Sequence, residues 1–182
     1  MTEPVVLRTQ RLVLRPWTEA DREPFAAMGA DPEVMRHFPG LLDRAASDAF
    51  VDRCMQRFTD QGWGLWVVDR GGFLGFTGLS PVPPTLPCAP AVEVGWRLAR
   101  NAWGQGYATE AGRAALSYGF DVLGLDEIVS FTATLNLPSI AVMQRLGMTR
   151  DPAEDFDHPG VPVGHPVRRH VLYRLRRGNL SA

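Results

Sequence analysis

The order of polar and apolar positions divides the chain into alternating strand and helix patterns. Arg11 to Arg15 (Arg-Leu-Val-Leu-Arg) has a period of two and predicts a strand. Thr18-Glu19-Ala20-Asp21 places an acid three residues after a capping hydroxyl, a helix start. Asp31-Pro32-Glu33 predicts a further short helical turn, with Pro32 at its first position. Ala46, Phe50, Val51, Cys54 and Phe58 keep helical spacing, predicting a helix capped by Asp43 and running to Asp60. Strand patterns over Trp63–Asp69 and Phe73–Leu79 flank Arg70-Gly71-Gly72, a hairpin signal. Pro81 to Pro90 holds five prolines, which excludes it from a sheet interior and makes it a long connection within one sheet.

Ala91–Ala99 completes this meander as its third strand. A helix over Gly104–Val122, a strand over Glu127–Thr134 and a helix over Ser139–Leu146 follow, the last ended by Gly147. Asp151–Pro166 is a loop rich in proline, glycine and acid, and Val167–Leu175 is the last strand. The order β-α-α-β-β-β-α-β-α-(β)-β predicts an α/β (α+β) fold, a mixed sheet of six to seven strands with helices on both faces. No internal repeat is visible.

Composition narrows this picture. The 182 residues suit one domain, 1–182, better than two. A formal net charge of -1 argues against a nucleic-acid partner, which demands a basic excess. No apolar run is long enough for a membrane helix. Met1-Thr2-Glu3-Pro4 lacks the pattern of a signal peptide. Cys54 sits in a helical pattern and Cys88 in the proline-rich loop, so no disulfide is indicated and a reduced, cytoplasmic protein is expected.

The densest chemistry lies between Ala91 and Gly112. A strand ends, Gly104 and Gly106 make a turn, and a helix begins. Glycines let backbone approach a ligand, and the free N–H groups of a helix start attract phosphate. A bare Gly-x-Gly is also compatible with a plain strand-to-helix turn. A dinucleotide site is a third reading, with Asp126 or Glu127 about 20 residues on. However, Thr109 occupies the third small position, and a meander precedes the loop where parallel β-α-β units are needed.

Residues on both sides of the loop favour another reading. Val92-Glu93-Val94-Gly95-Trp96-Arg97-Leu98 followed by Trp103-Gly104-Gln105-Gly106-Tyr107-Ala108-Thr109-Glu110-Ala111 resembles motif A of the Gcn5-related N-acetyltransferases (GNAT). Asn136-Leu137-Pro138-Ser139 with Met143-Gln144-Arg145-Leu146-Gly147-Met148 resembles motif B. Leu12-Val13-Leu14-Arg15-Pro16-Trp17 and His170-Val171-Leu172-Tyr173-Arg174-Leu175 resemble the RimJ/RimL-type branch. The resemblance covers nearly the whole chain and implies the GNAT fold, acetyl-CoA as acyl donor and an amine acceptor, either a peptide N-terminus or a small amine. It implies main-chain contacts to the pantetheine arm near Trp96, Arg97 and Leu98. Backbone N–H groups of Gly104, Gln105, Gly106, Tyr107, Ala108 and Thr109 are the implied pyrophosphate donors. Trp103 stands where the family usually has Gln or Arg, which suggests packing. A dimer is common in the branch.

Asn136 is implied to bond the pantetheine, although a helix cap explains it equally in kind. Arg145 is within the implied reach of a cofactor phosphate or lies on a solvated helix face. Glu93 is the leading base, its rival role being a strand carboxylate paired with an arginine. Glu110 lies in a first helical turn, where an acid complements the dipole, and reads as structural. Met143 replaces the tyrosine that protonates the thiolate in many relatives. Ser139 is the implied hydrogen-bond donor in its place, with capping as its rival role. A non-catalytic acyl-CoA-binding regulatory domain is the alternative function. His158 and His165 share a loop with Asp155 and Asp157, but the spacing fits no familiar metal pattern. The acids Asp151, Glu154, Asp155 and Asp157 suggest attraction of a cationic amine, set against an ordinary solvated loop. Arg36–Asp43 is the other loop expected to border the acceptor.

Overall fold

Asp43 caps the longest helix as its position predicts: its side chain accepts from the Ala46 N–H at 2.7 Å, and the helix spans Arg44–Gln61. The computed structural model describes residues 3–180. Met1 and Thr2, which open the segment read above as lacking a signal pattern, lie outside the described residues, as do Ser181 and Ala182. Strands β1 (Leu7–Arg8) and β2 (Val13–Arg15) lead into a 3-10 turn (Glu19–Asp21) with the expected Thr18–Asp21 capping box, then α1 (Arg22–Gly29). Helix α2 (Arg44–Gln61) is followed by the hairpin β3 (Leu65–Asp69) and β4 (Phe73–Pro81), then β5 (Val92–Leu98). Next come α3 (Tyr107–Asp121), β6 (Glu127–Ala133), α4 (Leu137–Arg145), β7 (Thr149–Arg150), β8 (Phe156–Asp157) and β9 (Arg169–Arg176).

The strands form one sheet in the order β1-β2-β3-β4-β5-β6-β9-β7, with β8 on β9. It is antiparallel except where β5 meets β6. This is the mixed α/β architecture expected, with nine strands instead of six or seven. The additional β1, β7 and β8 have two residues each, too short to show alternation. Asp31-Pro32-Glu33 opens a turn and not a helix. The Asp31 side chain accepts from the Glu33 N–H at 2.9 Å and the Met35 N–H bonds the Asp31 carbonyl at 3.0 Å, so the segment makes a single capped turn that does not propagate.

Alternation along β4 and β5 assigns the two faces. Phe76 meets Trp17, Phe25 and Phe50, so it faces α1 and α2. Leu79 and Ile128 face α3, where Gly119 permits close approach: a Cβ there would sit 2.6 Å from Ile128 Cδ1. The proline-rich connection folds back over β6 and β9, burying Val82, Leu86 and Cys88 against Val129, Phe156 and Leu172. Cys54 and Cys88 are both free thiols. No helix among the described residues is long and apolar enough to cross a membrane.

Arg15 ties β2 to the 3-10 turn that leads into α1 and to the end of β3. Its guanidinium bonds both carboxylate oxygens of Asp21 at 2.8 Å and reaches Asp69 at 2.8 Å. Asp21 is 2% exposed and also accepts from the Thr18 N–H. Burial pushes its carboxyl up, but the bonds from Arg15 and Thr18 outweigh this and hold it below the usual range. Asp21→Ala should therefore cost about 3 kcal/mol at neutral pH, because it leaves a buried cation half-paired. With a lowered folded pKa, the pair's contribution is present above the unfolded value and lost as pH falls through the folded one. Urea denaturation should show the wild-type advantage shrinking below about pH 4. A constant gap across pH would contradict this assignment.

Candidate active site

Strands β5 and β6 run parallel but share a single ladder pair, Glu93 with Val129. Beyond it the strands part, and the β5 edge from Val94 onward has no strand partner on that side. Two backbone acceptors are met by side chains: Ser130 Oγ donates to the Val94 carbonyl at 2.8 Å, and Trp103 Nε1 to that of Leu98 at 2.9 Å. A cleft of about 940 Å³ opens at this parting.

The turn after β5 supplies one end of the cleft. Gly104 and Gly106 have φ of 73° and 78°, a region side chains resist, so the turn depends on glycine there. Gly106 caps α3, and the first intrahelical bond runs from the Glu110 N–H to the Gly106 carbonyl at 3.0 Å. The N–H groups of Tyr107, Ala108 and Thr109 are therefore left without helical acceptors, at the positive end of the dipole. Of the loop residues singled out by sequence, Gly104, Gly106, Tyr107, Ala108 and Thr109 line the cleft and Gln105 does not. Gln105 instead gives its carbonyl to Arg11 Nη1 and bonds Asn101.

Arg11 was not legible as part of this site. It lies 99 positions from Glu110, yet its Nε meets Glu110 at 2.6 Å and its guanidinium lies 4.7 Å from the Tyr107 ring centroid. Thr9 and the Arg11 N–H also bond Glu110, at 2.6 and 2.9 Å. Burial pushes the Glu110 carboxyl up, but Thr9 and Arg11 outweigh it and hold it low. Glu110 thus fastens the glycine turn to the β1–β2 segment, the structural part expected of it.

Trp96, Arg97, Leu98, Trp103, Asn136, Ser139 and Arg145 also line the cleft. Trp96 Nε1 donates to Ser139 Oγ at 3.1 Å, which leaves the hydroxyl proton free for another acceptor. Asn136 caps α4: its Oδ1 accepts from the Ser139 N–H at 3.3 Å and its Nδ2 donates to Thr132 at 2.9 Å. Capping therefore belongs to Asn136, and the Ser139 side chain is free of it. Met143 is fully buried in the core, so that position does not face the cleft. Trp103 packs only in part: it is 46% exposed and holds the Leu98 carbonyl.

Glu93 lies on the opposite face of β5 from Trp96, toward α2, and does not line the cleft. Burial raises its carboxyl to about 7, and Arg57 lowers it only partly. Arg57 itself bonds Ser80, and no arginine bonds Glu93 among the described residues. Arg97 shares this face, over Phe38 at 4.1 Å and Phe76 at 5.4 Å. Its Nε and Nη1 have no acceptor among the described residues, and burial lowers it to about 10. Of the 36–43 loop, Arg36, His37 and Phe38 line the cleft and residues 39–43 do not.

The acidic loop behaves otherwise than expected. Asp155 pairs with Arg150, Glu154 with Arg174 at 2.8 Å, and Asp157 with Arg169 at 3.3 Å. Asp151 caps a short turn. These acids are paired with arginines or spent on a cap within the loop and its neighbouring strand. No group of three or more metal-ligating side chains occurs among the described residues.

Free N–H groups at a helix start, an unpaired strand edge and an uncommitted hydroxyl together fit a ligand with phosphates at one end and an amide-bearing arm. The acetyltransferase (GNAT) domain family matches residues 11–149. FsC-acetyl coenzyme A-N(2)-transacetylase of Aspergillus fumigatus is 36% identical over 192 residues, covering 96% of this chain and 81% of that protein. YkkB of Bacillus subtilis is 33% identical over 146 residues, covering 78% of this chain and 84% of its own length. The crystal structure of the acetyltransferase from Agrobacterium tumefaciens superposes with a TM-score of 0.77 at 28% identity, covering 97% of each chain.

The clamp on the glycine turn is testable. Glu110→Ala should lower stability by about 1–2 kcal/mol, since it strips partners from Thr9 and Arg11. It should also speed exchange of the amide at position 110, whose N–H closes the first turn of α3 on the Gly106 carbonyl. Unchanged exchange at that amide would show that the turn keeps its shape without the clamp.

Proposed function

The chain belongs to the GNAT family of N-acetyltransferases, and from that premise we propose that it transfers the acetyl group of acetyl-CoA to a primary amine by direct attack. We read residues 1–182 as one domain of the RimJ/RimL-type branch, on the motifs at Leu12–Trp17 and His170–Leu175. The observation that carries the reading is the parted β5–β6 edge ending at three unsatisfied N–H groups of α3. In this reading the backbone from Gly104 to Thr109 receives the pyrophosphate. Main-chain groups near Trp96 receive the pantetheine arm, and Arg145 stands at the cleft edge for a phosphate.

The chemistry requires a neutral amine. At pH 7 deprotonation costs roughly 1 kcal/mol for an α-amine and about 4.6 kcal/mol for a lysine, at ~1.36 kcal/mol per pKa unit. Glu93, with its carboxyl near 7, is suited to take that proton. The amine nitrogen attacks the thioester carbonyl carbon, forming the C–N bond as the C–S bond breaks. The surplus ammonium proton passes to Glu93. The thiolate keeps the C–S electron pair, is steadied by the Ser139 hydroxyl, and takes its proton from solvent. Burial pushes the Cys54 thiol up to about 12 and raises Cys88 as well, which disfavours either as a thiolate nucleophile and supports direct attack.

Two experiments test the reading. Acetyl-CoA should raise the melting temperature and NAD should not, and Gly106→Trp should remove the acetyl-CoA shift. A shift with NAD alone would sink the cofactor assignment. In a thiol-release assay with rates expressed per neutral amine, wild-type kcat/KM should rise with pH as Glu93 loses its proton around 7 and then level off. Glu93→Gln should lose that rise and about 10²-fold in rate near neutrality. A variant with the wild-type profile would clear Glu93 of the base role.

A further inference from the structure

Glu93, Gly95 and Arg97 alternate with Val94 and Trp96 on β5 and so share the face turned to α1 and α2. Their surroundings differ in kind. At Glu93 a carboxylate sits beside the Arg57 cation, which is itself bonded to Ser80. At Gly95 the strand face is bare, and a Cβ built there would meet nothing within 4 Å. At Arg97 a guanidinium is packed among aromatic rings with Nε and Nη1 in contact with neither water nor a protein acceptor. The rings attract its charge but offer nothing in the plane of its N–H groups. No carboxylate pairs with Arg97 among the described residues; the two acids bordering this part of the cleft and the loop turn are both taken, Glu33 by Arg36 and Glu110 by Arg11.

Two buried guanidinium nitrogens without acceptors lower stability unless something supplies them. Acetyl-CoA does not supply them in the reading above, because its arm follows the strand edge and its phosphates sit at the helix start. We propose that Arg97 anchors a carboxylate of the acceptor, so that the substrate is an amine that also carries an acidic group, lying over Gly95 with its carboxylate at Arg97 and its amine toward Glu93. The two side chains are four residues apart on one strand, about 13 Å between their Cα atoms. Side chains on one strand face stand side by side, so that span suits an amino acid whose amine and carboxylate are several bonds apart. In this proposal the Phe38 ring, which lies on a turn outside any helix or strand, moves aside to admit the anion. Planar bidentate pairing is what distinguishes arginine from lysine at such a site.

This inference rests on the acetyltransferase reading, and the test separates the two. Thiol release from acetyl-CoA is measured for α-amino acids and for ω-amino acids of increasing length, each against its own amide, with rates expressed per neutral amine. Wild-type kcat/KM should favour the free carboxylate by about tenfold or more. In Arg97→Met that preference should collapse toward one, mainly through the acceptor's KM, and Arg97→Lys should restore only part of it. A wild-type ratio near one for every pair, or a ratio that survives Arg97→Met, overturns the proposal. The ligand-free melting temperature gives a readout independent of turnover. Arg97→Met should melt at or above wild type, and a fall of several degrees would show that the guanidinium holds the fold instead. If acetyl-CoA produces no thermal shift in wild type, it is the acetyltransferase reading that fails.

Discussion

Two parallel strands that pair at one point and then separate impose the constraint around which this molecule is arranged. Past Glu93 and Val129, β5 and β6 no longer satisfy each other's backbone, and unpaired buried peptide groups are expensive. Ser130 and Trp103 meet two of the exposed carbonyls, and the rest of the edge borders a cleft. The glycine turn continues the same logic, ending the strand in a helix whose first N–H groups face outward. The opening needs a rigid frame, and the antiparallel meander on one side and the β6–β9 pair on the other provide it.

Strand alternation then divides labour across the sheet. Trp96 points to the α3 and α4 side and bonds Ser139, whereas Glu93 and Arg97 point to the side of α1 and α2. A ligand held along the strand edge can therefore be approached from the far face by a second molecule, with only the thickness of one strand between them. The carboxyl raised by burial and the unpaired guanidinium both lie on that far face. Both cost stability in the empty protein, as groups kept for binding or chemistry commonly do.

Much of this was legible in the sequence because the signals are local. The Asp43 cap, the Arg70–Gly72 hairpin and the Thr18–Asp21 capping box each depend on residues within a few positions. The Gly104–Gly106 turn is legible for the same reason, since positive φ is a demand on the residue itself. The features that escaped depend on residues distant in sequence. Arg11 meets Glu110 across the sheet, and nothing near either residue marks the other. The acids of the 151–157 segment looked free until β9 and its neighbours brought arginines to them. Asn136 and Ser139 were each given a choice between capping and bonding a ligand, and only Trp96, 43 positions from Ser139, decides how that hydroxyl is used.

By itself, then, the sequence determined the kinds and order of the elements, the glycine turn and the family, because periodicity, caps and backbone conformation are properties of short segments. Tertiary structure decided which charges are spent and which are left over. Glu93 and Arg97 read alike as polar residues of one strand. Packing desolvates both and supplies neither with a bonded partner of opposite charge, a distinction that depends on every element closing over that face.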